Sequence, residues 1–397
     1  MIDARPRSVA AVGDVASVHA WSGIPFHFWQ AARAAGFAEL PWQLDLARFD
    51  WPRKAWTLGR LLRGHRPGGF QYSDAFLARA CAQVPPELLA TEIITFNQHF
   101  PPVRAVAAAG GELNHYIDAT FAAMTDHRAL DLRLPPDIAA RGREQERANY
   151  AESRRVVTMA RWAARSAVDE CGVDPAKVFT ILPGANFDWP AGTALPDAPA
   201  PGRAGREREF VLGFVGMDWR RKGLPLVVEV RDALAHRGWR TLVLAAGDAP
   251  PELTRQPGVR FVGRIDKARE PGAFVRFLLG CDVGCLFSDN EALGISTLEF
   301  LRAGVPVAGF AHQGLDDTLP PDAGFRFSPG ASAEEAADAL DGYLWDEARQ
   351  AEYRRCARAW SPLVTWERCV AEMRELWDTG AIRHPVRPWL GLPPKSQ

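Results

Sequence analysis

Short apolar runs rich in β-branched and aromatic residues alternate with amphipathic segments along almost the whole chain. Because parallel strands need long crossover connections, which are usually helices, this alternation predicts parallel sheets built from βαβ units. In the second half, strands are predicted at residues 210–215, 241–245, 259–262, 282–287 and 305–310, and helices at 224–236, 272–279 and 295–303. The pattern indicates one complete doubly wound domain there.

The first half repeats this pattern less regularly, with strands predicted at residues 9–12, 93–96, 114–117, 155–159 and 178–182. Residues 190–206 between the halves are rich in Pro, Gly and Ala, a composition typical of a linker. We predict an N-terminal Rossmann-like acceptor domain over 1–190, a linker over 191–207 and a C-terminal Rossmann-like donor domain over 208–365. A C-terminal helix and tail over 366–397 could pack back on the N-terminal domain.

Charge and cysteine usage exclude several classes of protein. The 397 residues carry 47 Lys and Arg against 48 Asp and Glu, so no overall field attracts nucleic acid, and no nucleic-acid partner is expected. Gly13 and Asp14 interrupt the first apolar stretch and no run of 18 apolar residues follows, which favours a cytoplasmic protein. The six cysteines lack metal-ligand spacing, so we expect buried thiols and no metal site.

Two glutamates eight positions apart, Glu291 and Glu299, flank a predicted strand-to-helix turn. Glu291 lies in the loop after the strand, where open α/β sheets bind ligands, and Gly294 lets the backbone approach a ligand at the helix N-terminus. The free N–H groups of that terminus favour a diphosphate, whereas Glu299, deeper in the helix, suits sugar hydroxyls. A capped helix with two solvated carboxylates explains the spacing equally well.

A second predicted strand-to-helix turn, at residues 214–223, contains the sequence Arg220-Arg221-Lys222-Gly223. Cations at a helix N-terminus are repelled by the helix dipole, and an anionic ligand would remove this conflict. A solvated run of charged side chains is the alternative interpretation.

Together these two segments resemble the retaining glycosyltransferases of the GT-B fold, specifically family 4 (glycosyl transferases group 1), which use nucleotide-sugar donors. The resemblance covers most of the chain and rests on the Glu291 and Glu299 pair, on residues 300–307 and on Arg-Lys-Gly at 221–223. Residues 292–294 are Ala-Leu-Gly where Pro-Phe-Gly is more usual. Residues 21–26, which include Gly23, are similar to the family's first glycine loop. The implied fold is α/β, with two Rossmann-like doubly wound domains facing across a cleft.

The resemblance also implies roles for individual residues. Arg221 and Lys222 would stabilise the leaving diphosphate, so that no metal or other cofactor is required. Glu291 and the amides after it would hold the hydroxyls of the transferred sugar, and Glu299 the ribose. The implied donor-binding residues are Glu299, Gly294, Leu293, Ile295, Gly23, Gly216, Ile265 and Arg264, the last two through backbone near the base.

A further acidic or imidazole group from the N-terminal domain is implied to face the sugar. Many relatives have a histidine near the end of an N-terminal strand, and Asp118 stands at what is similar to that position. His115 and His99 are nearby in the sequence, but a structural role explains each of them better. Asp118 is therefore the fourth predicted catalytic residue, with Glu291, Lys222 and Arg221.

The resulting hypothesis is a retaining, metal-independent hexosyltransferase that moves a sugar from a UDP- or GDP-sugar to a glycan or lipid-linked acceptor in polysaccharide or glycoconjugate synthesis. A nucleotide-sugar epimerase of the same fold is one alternative, and it would need acid and base carboxylates in the cleft. A noncatalytic nucleotide-sugar binding protein is the other, since the unusual residues 292–294 leave it open and fold does not imply function.

Residues 48–66 combine six basic side chains with Trp51 and Trp56. Cations interleaved with aromatic rings suit peripheral contact with the inner face of a membrane, or an anionic lipid-linked acceptor. A helix that packs its tryptophans inward and its arginines outward would have the same sequence.

Overall fold

The computed structural model describes residues 5–126, 130, 132–190, 195 and 208–391. The chain divides into two compact units. The N-terminal unit runs to Leu182 and includes Cys369–Arg383, and the C-terminal unit comprises Pro183–Arg368 and the residues from His384 onward. The predicted linker, apart from Leu195, lies outside the described residues.

The N-terminal unit contains a six-stranded sheet in which every strand pairing is parallel. Its strands are β1 (Arg7–Ala10), β2 (Leu40–Pro41), β3 (Glu92–Thr95), β4 (Glu112–Ile117), β5 (Arg155–Thr158) and β6 (Val178–Thr180). Its helices up to residue 182 are α1 (Ile24–Ala34), α2 (Asp50–Leu62), α3 (Asp74–Cys81), α4 (Pro86–Leu89), α5 (Val103–Ala108), α6 (Phe121–Thr125), α7 (Pro136–Glu152) and α8 (Arg161–Asp169). The strand order is β2-β1-β3-β4-β5-β6, so the winding direction reverses between β1 and β3.

The C-terminal unit contains a second parallel sheet, with order β12-β11-β10-β7-β8-β9. Its strands are β7 (Phe210–Gly216), β8 (Thr241–Gly247), β9 (Val259–Phe261), β10 (Val283–Leu286), β11 (Val307–Phe310) and β12 (Gly324–Phe327). Its helices are α9 (Leu224–His236), α10 (Pro251–Thr254), α11 (Pro271–Leu279), α12 (Ile295–Arg302), α13 (Leu315–Thr318), α14 (Ala333–Trp345) and α15 (Glu347–Trp360). Here the winding direction reverses between β7 and β10. Two parallel six-stranded sheets with helices confirm the predicted α/β fold of two Rossmann-like units.

Helix α9 shows why these sequences form these elements. Its residues Leu224, Val227, Val228 and Leu234 are buried in the core of the C-terminal unit, and their spacing follows the helical period. Each such side chain removed from water contributes about 1.5–3 kcal/mol to folding, before the entropic cost of ordering the chain. The helix ends at His236, and Gly238, with φ of +87°, leaves it in a conformation that other residues rarely adopt.

The last long helix, α16 (Trp366–Thr379), contributes residues to both units. From Cys369 onward it belongs to the N-terminal unit, where the Cys369 thiol lies 3.2 Å from the Tyr116 hydroxyl. Trp377 donates its indole N–H to Glu92 at 2.7 Å, and the Arg155 guanidinium lies 4.5 Å from the centre of the Trp377 ring. Residues 369–383 therefore complete the N-terminal unit, whereas the chain from His384 is grouped with the C-terminal unit.

Candidate functional site

The two motif loops of the sequence lie at adjacent strand ends of the C-terminal unit. Strands β7 and β10 are paired neighbours, with Val283 opposite Leu212. The loop of residues 217–223 follows β7, and the loop of residues 287–294 follows β10. Because the winding direction reverses between these two strands, their carboxyl ends form the crevice in which open α/β sheets bind ligands.

Glycines bring the backbones of these two loops into contact. Gly223 and Gly294 precede helices α9 and α12 with φ of +79° and +81°, in the left-handed region. A Cβ atom at Gly223 would meet the carbonyl of Phe287, so a larger residue would push the loops apart. The Asp289 amide also donates to the Arg221 carbonyl at 3.1 Å. The two helix N-termini are thus held side by side.

Glu291, Arg221 and Lys222 form an ion cluster between the loops. Lys222 Nζ lies 2.8 Å and Arg221 Nη1 3.2 Å from the same oxygen, Glu291 Oε2. Arg221 is held further by the Asn290 carbonyl at 2.5 Å and by Asp218 at 3.1 Å. The Glu291 amide donates to the side chain of Gln313 at 2.8 Å. The three predicted catalytic residues of this unit are therefore in direct contact.

The ion cluster sets the charge state of Glu291. Burial acts to raise the pKa of this carboxyl, but the charges of Lys222 and Arg221 outweigh burial and hold its pKa below the ordinary value of 4.5. Glu291 is consequently a carboxylate at neutral pH. It supplies the negative charge that two cations at a helix start require.

Glu299 has a different environment, on the buried side of α12. Lys267 donates to its Oε1 atom, while Oε2 is buried and has no hydrogen-bond partner within the part of the chain that the structure describes. Burial raises the pKa of Glu299, and the charges of Lys267 and Lys222 offset this only in part. An unsatisfied buried carboxylate oxygen is costly, so Oε2 is suited to accept a hydrogen bond from a ligand hydroxyl.

Lys267 is a site residue that the sequence motifs did not identify. Its ammonium group lies 4.2 Å from the centre of the Phe274 ring in addition to contacting Glu299. It follows β9 in a loop and is 32 positions from its partner glutamate. A composition signal was available: the chain has only five lysines, and two of them, Lys222 and Lys267, pair with the two motif glutamates.

The other predicted donor-binding residues of this unit lie in the same or neighbouring loops. Gly216 ends β7, and a Cβ atom there would lie 2.6 Å from the Lys222 side chain. Leu293 is buried in the second loop, and Ile295 is the first residue of α12. Arg264 is exposed and bonds both oxygens of Asp248, at 2.7 and 2.5 Å, with the half-buried Ile265 next to it.

Gly23 and Asp118 belong to the N-terminal unit. Gly23 precedes α1 with φ of +84°, and Asp118 directly follows β4. His115 is buried with both ring nitrogens bonded, at 3.0 Å to the Asn97 carbonyl and 3.1 Å to Ser153, and burial lowers its pKa to about 3. His115 is thus a neutral structural residue, as expected.

The basic segment 48–66 forms α2 and its flanks, and one of its cations is not directed outward. Arg60 is buried, bonds both oxygens of Asp137 at 2.6 and 2.9 Å and lies 5.1 Å from the centre of the Trp56 ring. Arg60 is therefore not part of an outward cationic surface, because a carboxylate from α7 binds it.

The described residues form neither a candidate metal site nor a helix that could span a membrane. Within the described ranges, no group of three or more His, Cys, Asp or Glu side chains is arranged to hold a metal ion. None of the helices in that part of the chain has the length and apolarity needed to cross a membrane. All six cysteines are free thiols.

Part of the C-terminal unit matches a known protein family. Residues 209–346 match the family described as Glycosyl transferases group 1. A glycogen synthase of Deinococcus deserti is 29% identical over 209 residues, which are 49% of this chain and 45% of that protein. A D-inositol 3-phosphate glycosyltransferase of Corynebacterium aurimucosum is 25% identical over 281 residues, or 67% and 66% of the two chains. The chain thus spans about half to two thirds of the length of these relatives.

Solved structures share the fold. The structure of Anabaena Alr3699/HepE in complex with UDP and glucose has a TM-score of 0.63 at 15% identity, covering 94% of this chain and all of the other. The sucrose-phosphate synthase of Thermosynechococcus elongatus has a TM-score of 0.59 at 16% identity, covering 94% and 98%. Both likenesses show that the chain has the GT-B fold, with two α/β units that each contain a parallel sheet.

The two glutamates should have opposite effects on stability as the pH changes. Because the pKa of Glu291 is lowered by folding, its ionised form stabilises the protein above pH 4.5, and this contribution is lost as the pH falls through the lowered value. We expect Glu291→Gln to cost about 1–3 kcal/mol at pH 7, with the difference shrinking below pH 4.5. Urea unfolding across this pH range measures it.

The variant Glu299→Gln should show the opposite pH trend in stability to Glu291→Gln. The pKa of Glu299 is raised, so ionisation destabilises the folded state once the pH exceeds the ordinary value of 4.5. This variant should become more stable relative to the parent as the pH rises from 4 toward 7. The same pH trend in both variants would contradict the assigned environments.

Proposed function

We propose that this chain, whose residues 209–346 belong to the family Glycosyl transferases group 1, transfers a sugar from a nucleotide-sugar donor to an acceptor hydroxyl with retention of anomeric configuration. The observation that carries the proposal is the ion cluster of Glu291, Arg221 and Lys222 between two helix N-termini. The UDP and glucose in the HepE structure support a nucleotide sugar as donor.

Arg221 and Lys222 are suited to bind the donor diphosphate. A diphosphate carries more negative charge than one carboxylate and can accept hydrogen bonds from both cations and from the free amides that begin α12. The diphosphate would replace Glu291 as the ion-pair partner of Arg221 and Lys222. Negative charge grows on the diphosphate as the glycosidic bond breaks, so these contacts strengthen in the transition state. We assign the neutralisation of that charge to these side chains.

Glu291, once the cations contact phosphate, is free to accept hydrogen bonds from hydroxyls of the transferred sugar. The amides of Leu293, Gly294 and Ile295 follow it in the same loop and lie at the start of α12. Together they would fix the ring so that the acceptor attacks from the face that the nucleotide leaves. The departing phosphate would take the acceptor proton. Asp118 stays a prediction as a further catalytic group.

Glu299 and Lys267 are suited to the ribose. Glu299 Oε2 has no partner among the described residues, so a ribose hydroxyl would satisfy it. Lys267 keeps this buried carboxyl oriented through Oε1. The base would lie against the backbone at Arg264 and Ile265, and UDP- and GDP-sugars are both candidates.

The names of the relatives point to different acceptors. One relative is named for D-inositol 3-phosphate and another for 2-deoxystreptamine, so these names do not identify the acceptor of this chain. We propose a glycan or lipid-linked acceptor and a role in polysaccharide or glycoconjugate synthesis.

Two alternative functions, a nucleotide-sugar epimerase and a noncatalytic binding protein, would use the same ion cluster. Incubation with radiolabelled UDP- and GDP-sugars separates the three, because only a transferase moves the label to an acceptor or to water.

Lys222→Ala should weaken the binding of the nucleoside diphosphate that the protein prefers, UDP or GDP. Charge-assisted hydrogen bonds are worth about 1.5–3 kcal/mol, which corresponds to a loss of affinity of roughly tenfold or more. Titration calorimetry at fixed ionic strength measures this. Lys54→Ala, on the exposed side of α2, is the control and should leave affinity unchanged. Equal affinity in parent, variant and control would exclude the diphosphate assignment.

Glu291→Gln should lower kcat much more than it raises KM for the donor, while Glu299→Gln and Lys267→Met should mainly raise KM. Positive charge develops on the transferred ring in the transition state, so Glu291 acts most strongly there, whereas the ribose changes little during reaction. Steady-state kinetics with melting temperatures on all three variants check this. A Glu291→Gln enzyme with parental kcat would contradict the role of Glu291.

Helix α2 also supports a contact with a membrane surface. It exposes Trp51 by 76% and Leu62 by 79%, together with Leu58 and Leu61 on the same side. Lys54 is exposed next to this apolar stripe, and Arg63 is exposed directly after the helix. An apolar stripe bordered by cations is typical of helices that lie in the interface of an anionic bilayer.

The double variant Trp51→Ser/Leu62→Ser should therefore sediment less with vesicles that contain phosphatidylglycerol than the parent protein. Loss of buried apolar area weakens such binding. Trp345→Ser, which removes an exposed tryptophan of the C-terminal unit, is the matched control. A parent protein that does not sediment with these vesicles would exclude the membrane contact.

A further inference from the structure

The N-terminal unit contains a cavity of about 1160 Å³ that is separate from the ion cluster of the C-terminal unit. It lies where the loops after β1 and β3 meet, and the Val12 amide of the first loop donates to Asn97 Oδ1 of the second at 2.7 Å. The winding direction reverses between these two strands, so the cavity occupies the ligand-binding crevice of this sheet. Its volume is sufficient for one or two sugar rings.

One side of this cavity is an aromatic wall. Phe49, Phe70 and Phe76 contact one another, with ring centres 4.6 Å apart for Phe49 and Phe76 and 5.7 Å for Phe70 and Phe76. Tyr72 and Trp21 continue the lining. Phe49, Phe70 and Phe76 are only 4–6% exposed and support the wall from behind, so the ring faces open to a ligand are those of half-buried Tyr72 and exposed Trp21. Rings fixed in this way bind a ligand at little entropic cost. Such faces fit the C–H faces of a sugar or cyclitol ring.

The loop that carries Trp21 is held in an unusual conformation. Trp21 and Ser22 both have left-handed φ angles, of 49° and 56°, although neither is glycine. The Trp21 indole N–H donates to the Val12 carbonyl at 3.2 Å, which fixes the ring at the cavity. Non-glycine residues in this region cost free energy and are concentrated at ligand sites.

The opposite side offers neutral polar groups. Asn97 and His99 are buried, at 6% and 5% exposure, and line the cavity. Among the described residues, Asn97 Nδ2 and His99 Nδ1 have no hydrogen-bond partner, while His99 Nε2 lies 2.8 Å from the Gly142 carbonyl. Burial lowers the pKa of His99 to about 4, so its ring is neutral at pH 7. A donor and an acceptor thus remain for ligand hydroxyls.

The charged lining disfavours an anion. The two arginines in the described lining are already paired, Arg48 with Asp45 at 3.3 Å and Arg53 with Asp50 at 3.2 Å, and both carboxylates also line the cavity. If either arginine bound a ligand phosphate instead, its partner carboxylate would be left unpaired beside that phosphate. Asp14 adds a third carboxylate to the lining, and the Ala16 amide donates to its Oδ1 atom at 2.9 Å.

We propose that this cavity binds the acceptor as an uncharged, polyhydroxylated ring and selects against a ring that carries a phosphate or carboxylate. Aromatic faces bind the ring, Asn97 and His99 bond its hydroxyls, and Asp14 accepts from a hydroxyl and repels anions. The inference rests on the proposed glycosyltransferase function, and it adds the chemical class of the acceptor.

The test compares matched ligands by saturation-transfer NMR on the full chain. The uncharged probes are methyl α-glucopyranoside, methyl α-galactopyranoside and myo-inositol; their charged counterparts are methyl α-glucuronide, methyl α-galacturonide and myo-inositol 1-phosphate. UDP and GDP are present to occupy the diphosphate site. We expect at least one uncharged probe to bind several-fold more tightly than its charged counterpart.

Two variants locate the binding and its charge selectivity. Trp21→Ala should weaken binding of the uncharged probe about fivefold, while Trp51→Ala, which removes an exposed tryptophan outside the lining, should not. Asp14→Lys should reverse the preference in favour of the charged probe. Melting temperatures confirm that each variant is folded.

Three results would overturn the inference: a charged probe that binds the parent as well as its uncharged counterpart, no binding of any uncharged probe, or binding that Trp21→Ala leaves unchanged. Titration of UDP and GDP in the same samples keeps the two proposals apart. A protein that binds nucleotide but fails these tests loses the acceptor class alone, and a protein that binds no nucleotide loses the proposed function.

Discussion

The candidate donor site depends on one electrostatic constraint, the placement of Arg221 and Lys222 at a helix start that already presents partial positive charge. Such an arrangement needs an anion within a few ångströms. Glu291 supplies it, at 2.8 Å from Lys222 and 3.2 Å from Arg221. The lowered pKa of Glu291 has the same origin, because the two cations stabilise its ionised form. A diphosphate would satisfy the cations better, so ligand binding becomes an exchange of one anion for another.

The fold provides the positions that this exchange needs. Glu291, Arg221 and Lys222 come from loops 70 residues apart in the chain, and only the pairing of β7 with β10 makes those loops neighbours. The same topological feature recurs in the N-terminal unit, where β1 and β3 flank the aromatic cavity. Each unit therefore has a crevice where the winding direction of its sheet reverses, one lined by cations and the other by aromatic rings.

Local sequence patterns predicted much of this structure. Runs such as Phe210–Val215 and Thr241–Ala245 are strongly apolar and β-branched, and the strands extend over them. Strand β2, with only two residues, and β12, with the sequence Gly-Phe-Arg-Phe, were missed because neither has enough apolar residues to stand out. The glutamate pair and the Arg-Lys-Gly turn were identifiable because each motif is contiguous or evenly spaced.

Features that depend on distant partners were not predictable in this way. Lys267 joins the site through Glu299, 32 positions away, and nothing in its local sequence marks it. Arg60 stands in a strongly basic segment of the sequence, yet Asp137, 77 positions away, binds it in a buried position. The aromatic wall of the cavity combines Phe49, Phe70 and Phe76 from three separate segments. Charge and aromatic content alone do not indicate which side chains face one another.

A crystal structure of the protein with its preferred nucleoside diphosphate tests the central claim most directly. We expect both phosphates at the N-terminus of α12, in contact with Arg221 and Lys222, with the Lys222 to Glu291 contact opened and a ribose hydroxyl within hydrogen-bond distance of Glu299. A nucleotide bound elsewhere, or a bound nucleotide beside an unchanged contact of 2.8 Å between Lys222 and Glu291, would contradict it.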